Sequence, residues 1–150
     1  YRSANEWVQR FGRKKSVENK INQNTFGIEN TSFEFEIESY LEHQAVKFQN
    51  IFDANCYLYL SRAMDWFDVA NLGKSSLDAF SKINVNKALV LGVDTDVLFP
   101  LQQQKEISEN LSLSNVKVEY KELNCIQGHD SFLVDTGSFA KEINTFIKNL

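Results

Sequence analysis

One apolar run limits the folds open to this 150-residue chain more than any other feature. The run is K-A-L-V-L-G-V, at positions 87–93. Its length and its lack of polar positions are typical of a parallel strand that is buried on both faces. Pro100 follows it, and because proline suits the first turn of a helix, we expect a helix from there to about Leu111.

A second strand and a last helix complete this half of the chain. Val116, Val118 and Tyr120 alternate with charged residues, which predicts a strand with one polar face. Residues 138–150 have the spacing of an amphipathic helix. Its predicted buried side carries Phe139, Ile143, Phe146, Ile147 and Leu150. The order strand, helix, strand, helix predicts a βαβα unit, and therefore the α/β class.

The first half of the chain has helical periodicity instead. A short helix is predicted over residues 3–11, with Ser3 as its N-cap and with Trp7, Val8 and Phe11 on one side. Residues 13–31 are polar and without a period, which predicts a long surface loop.

Two longer helical segments follow that loop. Their apolar stripes are Ile37, Leu41, Ala45, Phe48 and Phe52 in the first, and Tyr57, Leu60, Met64 and Phe67 in the second. The short F-D-A-N sequence at 52–55 predicts a turn, so we expect a helical hairpin. Gly73 and Ser75 mark the next break.

Composition and charge exclude several classes of protein. With 43% hydrophobic and 24% charged residues the chain has the make-up of a globular protein. Its net charge of −4 argues against a nucleic-acid or anionic-membrane partner. No apolar run approaches the roughly 20 residues of a membrane span. Two cysteines do not make a disulfide framework, so we expect a cytoplasmic protein.

The residues with catalytic potential follow the two predicted strands. G-V-D-T-D-V-L-F-P (92–100) comes after the first strand and Q-G-H-D-S-F-L (127–133) after the second. Functional groups in open α/β sheets lie at the carboxyl ends of strands, so Asp94 or Asp96 is expected near His129. Such a carboxylate would orient the imidazole as a general base. An equally good interpretation is that either aspartate caps the following helix and that His129 is an ordinary loop residue.

Four segments in order resemble one family of enzymes. Y-R-S at the start, F-D-A-N-C-Y-L-Y-L-S-R-A-M-D-W-F-D (52–68), G-V-D-T-D-V-L-F-P and G-H-D-S-F-L-V-D (128–135) are similar to the homoserine O-acetyltransferases. The resemblance implies an α/β-hydrolase fold. It implies a helical lid region over residues 1–75, followed at 76–150 by the C-terminal βαβα part of the core.

The same resemblance assigns roles to individual residues. It implies that Asp96 is the acid and His129 the base of a catalytic triad, with Asp94 as an alternative acid. Asp130 matches the position that binds the amino group of the substrate, and Tyr1 matches a tyrosine near the substrate carboxylate. Arg2 is interpreted as a structural charge at the start of a helix.

The chain departs from the family in lacking its nucleophile. The family uses a serine in a G-x-S-x-G turn, and neither Ser75-Ser76 nor Thr136-Gly137-Ser138 fits that motif. We therefore expect this sequence to be the C-terminal part of a longer enzyme, inactive by itself. The Asn-rich segment 19–30 also fits poorly and is interpreted as a variable lid loop.

The activity implied by the resemblance is transfer of an acetyl group from acetyl-CoA to L-homoserine, in methionine biosynthesis, by a ping-pong mechanism. Acetyl-CoA is then a substrate and no cofactor is bound. Alternatives are succinyl transfer, serine as the acceptor, a hydrolase on the same fold, or a non-catalytic fragment that only folds or dimerises with another chain. The family also implies a homodimer formed through the lid helices.

Metal sites are not expected. Cys125 and His129 are four residues apart but lack a second pair of ligands. Asp94-x-Asp96 resembles the start of a calcium loop, yet apolar residues and Pro100 occupy the later ligand positions. The other histidine, His43, lies among polar residues and is expected on the surface.

Overall fold

A computed structural model describes residues 1–16, 35–49 and 51–150 of the chain. The elements, in chain order, are α1 (Ala4–Arg10), α2 (Glu36–Gln49), α3 (Ala54–Trp66), α4 (Ser76–Phe80), β1 (Lys87–Val93), α5 (Leu101–Leu113), β2 (Lys117–Leu123), α6 (Ser131–Val134) and α7 (Thr136–Lys148). Single 3-10 turns occupy Val69–Leu72 and Gly128–Asp130. The Asn-rich segment 19–30 and most of the predicted 13–31 loop lie outside the described residues.

The βαβα prediction is confirmed. β1 and β2 form a two-stranded parallel sheet, with Lys87 opposite Lys117 and Val93 opposite Leu123. Helix α5 connects the two strands and contacts both of them. The short helices α4 and α6 were not predicted, because four or five residues are too few to show a helical period.

A small core lies where α5 meets the sheet. Val90, Leu111 and Val116 are buried together there. Half-buried apolar side chains surround them, namely Phe80, Ala88, Val118 and Tyr120. This packing fixes β1 and β2 in register, and the register decides which loop residues meet at the carboxyl end of the sheet.

The chain divides into two compact units. One consists of Tyr1–Glu6 together with Asp68–Leu150, and the other of Trp7–Phe67. In the first unit, the predicted apolar side of α7 is only partly covered, since Ile143, Ile147 and Leu150 are 41%, 57% and 77% exposed.

The second unit contains α2 and α3. The turn between them is confirmed at Asp53, whose carboxylate accepts the Asn55 and Cys56 amides and so caps α3. Ring contacts of Phe52 with Phe48 and Tyr57 lie at the same junction. However, neither helix has a buried residue, so the predicted stripes are not buried against each other. Val8 of α1 is also exposed, whereas Phe11 is buried against Trp7 and Tyr40.

Candidate active site

The parallel register brings two loops side by side at the carboxyl end of the sheet. The Asp94 amide donates to the Leu123 carbonyl at 3.1 Å, which extends the strand pairing by one residue. The Asp94 carboxylate then accepts the Cys125 amide at 3.1 Å. Asp94, the alternative acid of the sequence analysis, therefore bonds to the second loop's backbone and not to His129.

Asp96 is the carboxylate that faces His129. Its Oδ2 lies 3.0 Å from Nδ1 of the imidazole. Its Oδ1 accepts the backbone amides of Leu98 at 2.9 Å and Phe99 at 3.0 Å. Asp96 thus holds its own turn as well as facing His129, and the interpretation of this aspartate as the cap of the following helix is wrong. Asp96 does not cap α5, whose N-cap position is held by Pro100.

The electrostatics of Asp96 favour its charged form. Burial alone would raise the pKa of this carboxyl, but the hydrogen bonds from the Phe99 amide and from His129 outweigh it and lower the pKa below the ordinary value of 3.8. An ionised Asp96 accepts a hydrogen bond from Nδ1–H of His129 and stabilises an imidazolium. Among the described residues, Nε2 of His129 has no hydrogen-bond partner, so this nitrogen is available as a base.

Aromatic rings surround the imidazole. The ring centroids of Tyr1, Phe99 and Phe132 lie 5.8, 4.9 and 5.9 Å from that of His129. His129 and Asp96 also line a cleft of about 350 Å³ whose walls include Phe99, Phe132 and Phe139. Apolar walls lower the local dielectric constant and strengthen the interaction between the imidazole and the carboxylate.

Three small residues hold the histidine loop, and sequence reasoning missed their roles. The Thr95 hydroxyl donates to the Cys125 carbonyl and accepts the Gly128 amide at 3.1 Å. The Ser131 hydroxyl, fully buried, donates to the Gly128 carbonyl at 2.6 Å. Gly128 itself has a φ of +66°. The only signal in the sequence was the glycine directly before the histidine.

The N-terminal segment contacts the same loop. The Tyr1 carbonyl accepts the His129 amide at 2.7 Å, so this residue touches His129 through its backbone as well as its ring. Asp130 lies 3.0 Å from Nε of Arg2, measured from Oδ2. The second hydrogen-bonding edge of Arg2 lies 2.7 Å from Glu6. The interpretation of Arg2 as a structural charge at a helix start did not include its two carboxylate partners, Asp130 and Glu6.

The side chains of Cys125 and His43, the other candidates considered from the sequence, have different surroundings. Cys125 does not pair with His129; its thiol lies 3.4 Å from Oδ2 of Asp135. Burial and that carboxylate raise the pKa of the thiol to about 11, so it stays protonated. Within the described ranges no three His, Cys, Asp or Glu side chains cluster as metal ligands would. His43 is exposed on α2.

The fold is that of known α/β-hydrolase enzymes. A homoserine O-acetyltransferase structure from Bacillus anthracis aligns with 96% of this chain and 36% of its own, with a TM-score of 0.73 at 20% identity. The structure of esterase E22 aligns with 95% of this chain and 36% of its own, with a TM-score of 0.68 at 23% identity. At such low identity these matches establish the fold alone, and they confirm its prediction.

Sequence comparison identifies the family. A serine O-succinyltransferase from Litchfieldella anticariensis is 49% identical over 148 residues, which are 98% of this chain and 39% of that protein. Another from Frateuria aurantia is 45% identical over all of this chain and 40% of that protein. The chain belongs to the family of homoserine and serine O-acyltransferases, as its motifs implied. Both of these relatives are named as serine O-succinyltransferases and not as homoserine O-acetyltransferases.

Three further findings concern the coverage of the relatives, the family models and membrane spans. The chain spans about 40% of the length of the curated relatives that it matches. No protein-family model matches it. In addition, no helix among the described residues has both the length and the apolar character needed to cross a bilayer.

Proposed function

We propose that this chain supplies the acid and the base of a serine O-succinyltransferase, which moves a succinyl group from succinyl-CoA to the hydroxyl of L-serine. Asp96 is the acid and His129 the base. The pair between Asp96 Oδ2 and His129 Nδ1, at 3.0 Å, is the observation that carries the chemistry. Curated relatives at 44 to 49% identity, named as serine O-succinyltransferases, support the choice of donor and acceptor.

The first half-reaction forms an acyl-enzyme. Nε2 of His129 takes the proton from the hydroxyl of a catalytic serine outside these 150 residues, and the serine oxygen attacks the thioester carbonyl. The carbon–sulfur bond breaks, the CoA sulfur takes the proton from Nε2 of His129, and CoA leaves as the thiol. Asp96 stabilises the imidazolium that exists between these two proton transfers.

The second half-reaction transfers the acyl group to the amino acid. Nε2 of His129 takes the proton of the acceptor hydroxyl, whose oxygen attacks the acyl ester. The catalytic serine leaves and regains the proton from His129. We propose that Asp130 binds the acceptor ammonium and that Tyr1 lies near its carboxylate. Asp130 directly follows His129, and Arg2 holds one of its carboxylate oxygens, which supports the first of these positions. The ring contact of Tyr1 with His129 supports the second.

The proposed architecture follows the family. Residues 1–75 form a helical lid region, and residues 76–150 form part of the hydrolase core. A lid excludes water, which would otherwise hydrolyse the acyl-enzyme. A homodimer through the lid helices is supported by exposed apolar side chains on α3, since Tyr59 and Trp66 are 77% and 71% exposed.

The test is a comparison of donors and acceptors with the full-length protein. We expect the highest kcat/KM with succinyl-CoA and L-serine, measured as release of the CoA thiol and as the mass of the product. The two donors, succinyl-CoA and acetyl-CoA, are combined with the two acceptors, L-serine and L-homoserine. Each of the three other pairs should have a kcat/KM at least about tenfold lower than succinyl-CoA with L-serine, the equivalent of roughly 1.4 kcal/mol.

Each other outcome identifies a different activity. A preference for acetyl-CoA and L-homoserine would reinstate the activity that the motif resemblance implied. Steady release of CoA without any acceptor would identify a hydrolase. If a full-length protein that is shown to be folded has no turnover with any pair, the result would support the alternative of a non-catalytic module.

A further inference from the structure

Arg2 lies between two carboxylates next to the proposed base. Its Nε is 3.0 Å from Oδ2 of Asp130, and its Nη1 is 2.7 Å from Oε1 of Glu6. All three side chains are partly buried, with 25% of Arg2, 16% of Glu6 and 28% of Asp130 exposed. One guanidinium against two carboxylates leaves this cluster with a net charge of −1.

The position of Arg2 relative to His129 is set by the backbone. The carbonyl of the preceding residue, Tyr1, accepts the His129 amide at 2.7 Å. The hydroxyl of the following residue, Ser3, donates to the Ile126 carbonyl. The N-terminal segment and the histidine loop lie so close together that a Cβ on Gly128 would be 2.5 Å from the Tyr1 carbonyl oxygen. Arg2 is therefore attached on both sides to the loop that carries His129.

The Asp130 carboxylate has a free oxygen beside the base. Asp130 directly precedes α6, where an aspartate normally caps the helix, yet its side chain makes no capping bond. Arg2 holds Oδ2, and among the described residues Oδ1 has no partner. One oxygen of a half-buried carboxylate, on the residue next to His129, thus remains to bind a cation.

We propose that Arg2 is a positioning residue that holds the Asp130 carboxylate in the orientation in which it binds the ammonium group of the amino-acid acceptor. This inference rests on the proposed function, in which an amino acid is the acceptor. Arg2 does not touch the acceptor; it acts through Asp130. The net charge of −1 in the cluster is balanced when the acceptor ammonium binds.

The cluster is poorly arranged for stability alone. Oε2 of Glu6 is buried without a hydrogen-bond partner among the described residues, which is unfavourable for a carboxylate. A bound cation neutralises the second carboxylate charge of the cluster, whereas a purely structural ion pair requires only one carboxylate for the guanidinium. The planar guanidinium also meets its two partners through different nitrogens, which a lysine ammonium cannot reproduce at fixed geometry.

The experiment uses two acceptors that differ in the ammonium group. The full-length enzyme is assayed with L-serine and with 3-hydroxypropanoate, which has the same hydroxyl and carboxylate but no ammonium. The variants are Arg2→Ala, Arg2→Lys, Asp130→Asn and the double variant Arg2→Ala/Asp130→Asn. Three quantities are measured: the rate of acyl-enzyme formation, kcat/KM for each acceptor, and the ratio of the two kcat/KM values.

We expect Arg2→Ala to lower the preference for L-serine by about tenfold or more, through a higher KM, because a misplacement of about 1 Å can cost roughly 100-fold. Acyl-enzyme formation should stay within about twofold, since no ammonium takes part in that step. In the double variant, the ratio of kcat/KM for L-serine to kcat/KM for 3-hydroxypropanoate should equal the ratio in Asp130→Asn alone, because Arg2 acts through Asp130. Arg2→Lys should fall between wild type and Arg2→Ala, and it carries the test if Arg2→Ala does not fold.

Arg10→Ala is the matched control. It removes the same charge at the last residue of α1, whereas Arg2 precedes that helix. The Arg10 guanidinium lies 4.7 Å from the centre of the Tyr40 ring and does not pair with Asp130. Its acceptor ratio should equal that of wild type. An equal loss with both acceptors, a parallel loss of acyl-enzyme formation, or an additive double variant would show that Arg2 is only structural. A lower KM for L-serine in Arg2→Ala would also overturn the proposal, because Arg2 would then compete with the ammonium.

The two proposals fail separately. If wild type prefers another hydroxy amino acid, the proposed function is wrong in its acceptor, and the same cycle is run with that acid and its analogue without the ammonium. If wild type does not prefer ammonium-bearing acceptors, or only hydrolyses the thioester, the role of Arg2 is overturned.

Discussion

The two oxygens of Asp96 have separate tasks, and this separation explains how the residue orients His129. Oδ1 accepts two backbone amides of its own turn, which fixes the plane of the carboxylate. Oδ2 is left to accept the Nδ1–H of the imidazole. The tautomer with its lone pair on Nε2 is thereby favoured, and this is the form that a general base requires.

An Asp96→Asn substitution tests this at the scale of one side chain. The Asn carbonyl can still accept the Leu98 and Phe99 amides, so the turn should persist. Its amide group would face Nδ1 as a donor and favour the wrong tautomer. We expect kcat of the full-length enzyme to fall by roughly 10⁴-fold, measured as CoA release.

Asp94→Asn is the control for that change. Asp94 uses one oxygen to accept the Cys125 amide, and an Asn carbonyl can do the same. Its kcat should stay within about threefold of wild type, as for an uncharged replacement that keeps its hydrogen bond. A large loss in Asp94→Asn together with a small loss in Asp96→Asn would reverse the assignment of the acid.

At the scale of elements, the loop between β2 and α6 depends on the conformation of one glycine. Gly128 has a φ of +66°, and a Cβ there would be 2.5 Å from the Tyr1 carbonyl oxygen and 2.9 Å from the Ser3 nitrogen. Both atoms belong to backbone and cannot move aside as a flexible side chain can. This close approach allows the His129 amide to reach the Tyr1 carbonyl.

Gly128→Ala should therefore separate the N-terminal segment from the histidine loop. We expect a decrease in the free energy of unfolding of at least about 1–2 kcal/mol, because an L side chain is strained at positive φ. Urea unfolding of the full-length enzyme measures this, and kcat should fall with it.

Gly137→Ala gives the matched comparison. Gly137 lies in the first turn of α7, and a Cβ there would meet nothing nearer than Asp135 at 4.0 Å. Alanine is favoured over glycine in helices, so this variant should be neutral or more stable by about 0.5–1 kcal/mol. Equal effects of the two substitutions would contradict the structural role of Gly128.

At the scale of the whole molecule, ion pairs and one buried thiol determine how stability depends on pH. Glu119 pairs with Lys87 at 2.9 Å and Glu122 with Lys105 at 3.0 Å, and both pairings lower the glutamate pKa. The pKa of Asp96 is lowered as well. Cys125 has the opposite shift, to about 11, because burial penalises its thiolate.

These shifts predict a maximum of stability between mildly acidic and mildly alkaline pH. The carboxyl groups whose pKa is lowered stabilise the fold fully above their ordinary pKa values of 3.8 and 4.5. This contribution is lost as the pH falls through their pKa values in the folded protein. The Cys125 thiol contributes fully below its ordinary pKa of 9.0, and its contribution is lost as the pH rises towards about 11. Urea unfolding at a series of pH values measures both losses.

Two serine variants isolate the alkaline effect. Cys125→Ser removes the titrating group but keeps a donor to Asp135, so part of the alkaline loss of stability should disappear. Cys56→Ser changes an exposed thiol and should leave the profile as in wild type. An unchanged alkaline loss in Cys125→Ser would contradict the assignment to this thiol.

Much of the fold could be predicted because its signals are local. Strand β1 was predicted with the bounds that the structure shows, since a continuous apolar run needs no partner to be recognised. The turn at Asp53 was predicted from the four residues F-D-A-N, which is also a local signal. The apolar sides of α2, α3 and α7 show which face can pack but not what it packs against, and among the described residues those faces are only partly covered.

The sequence by itself determined the βαβα order, the family, and the two loops that carry Asp96 and His129. The family resemblance favoured Asp96 and kept Asp94 as an alternative. Which of the two carboxylates faces His129 was decided by the tertiary structure, because it depends on the register of β1 against β2 and on the turn at residues 94–99. The same holds for the contacts of Arg2 with Asp130 and of Thr95 with Gly128. These contacts, like the hydrogen bond from Ser3 to Ile126 at a separation of 123, join residues that are far apart in the chain. No local periodicity records which distant residues meet when the chain folds.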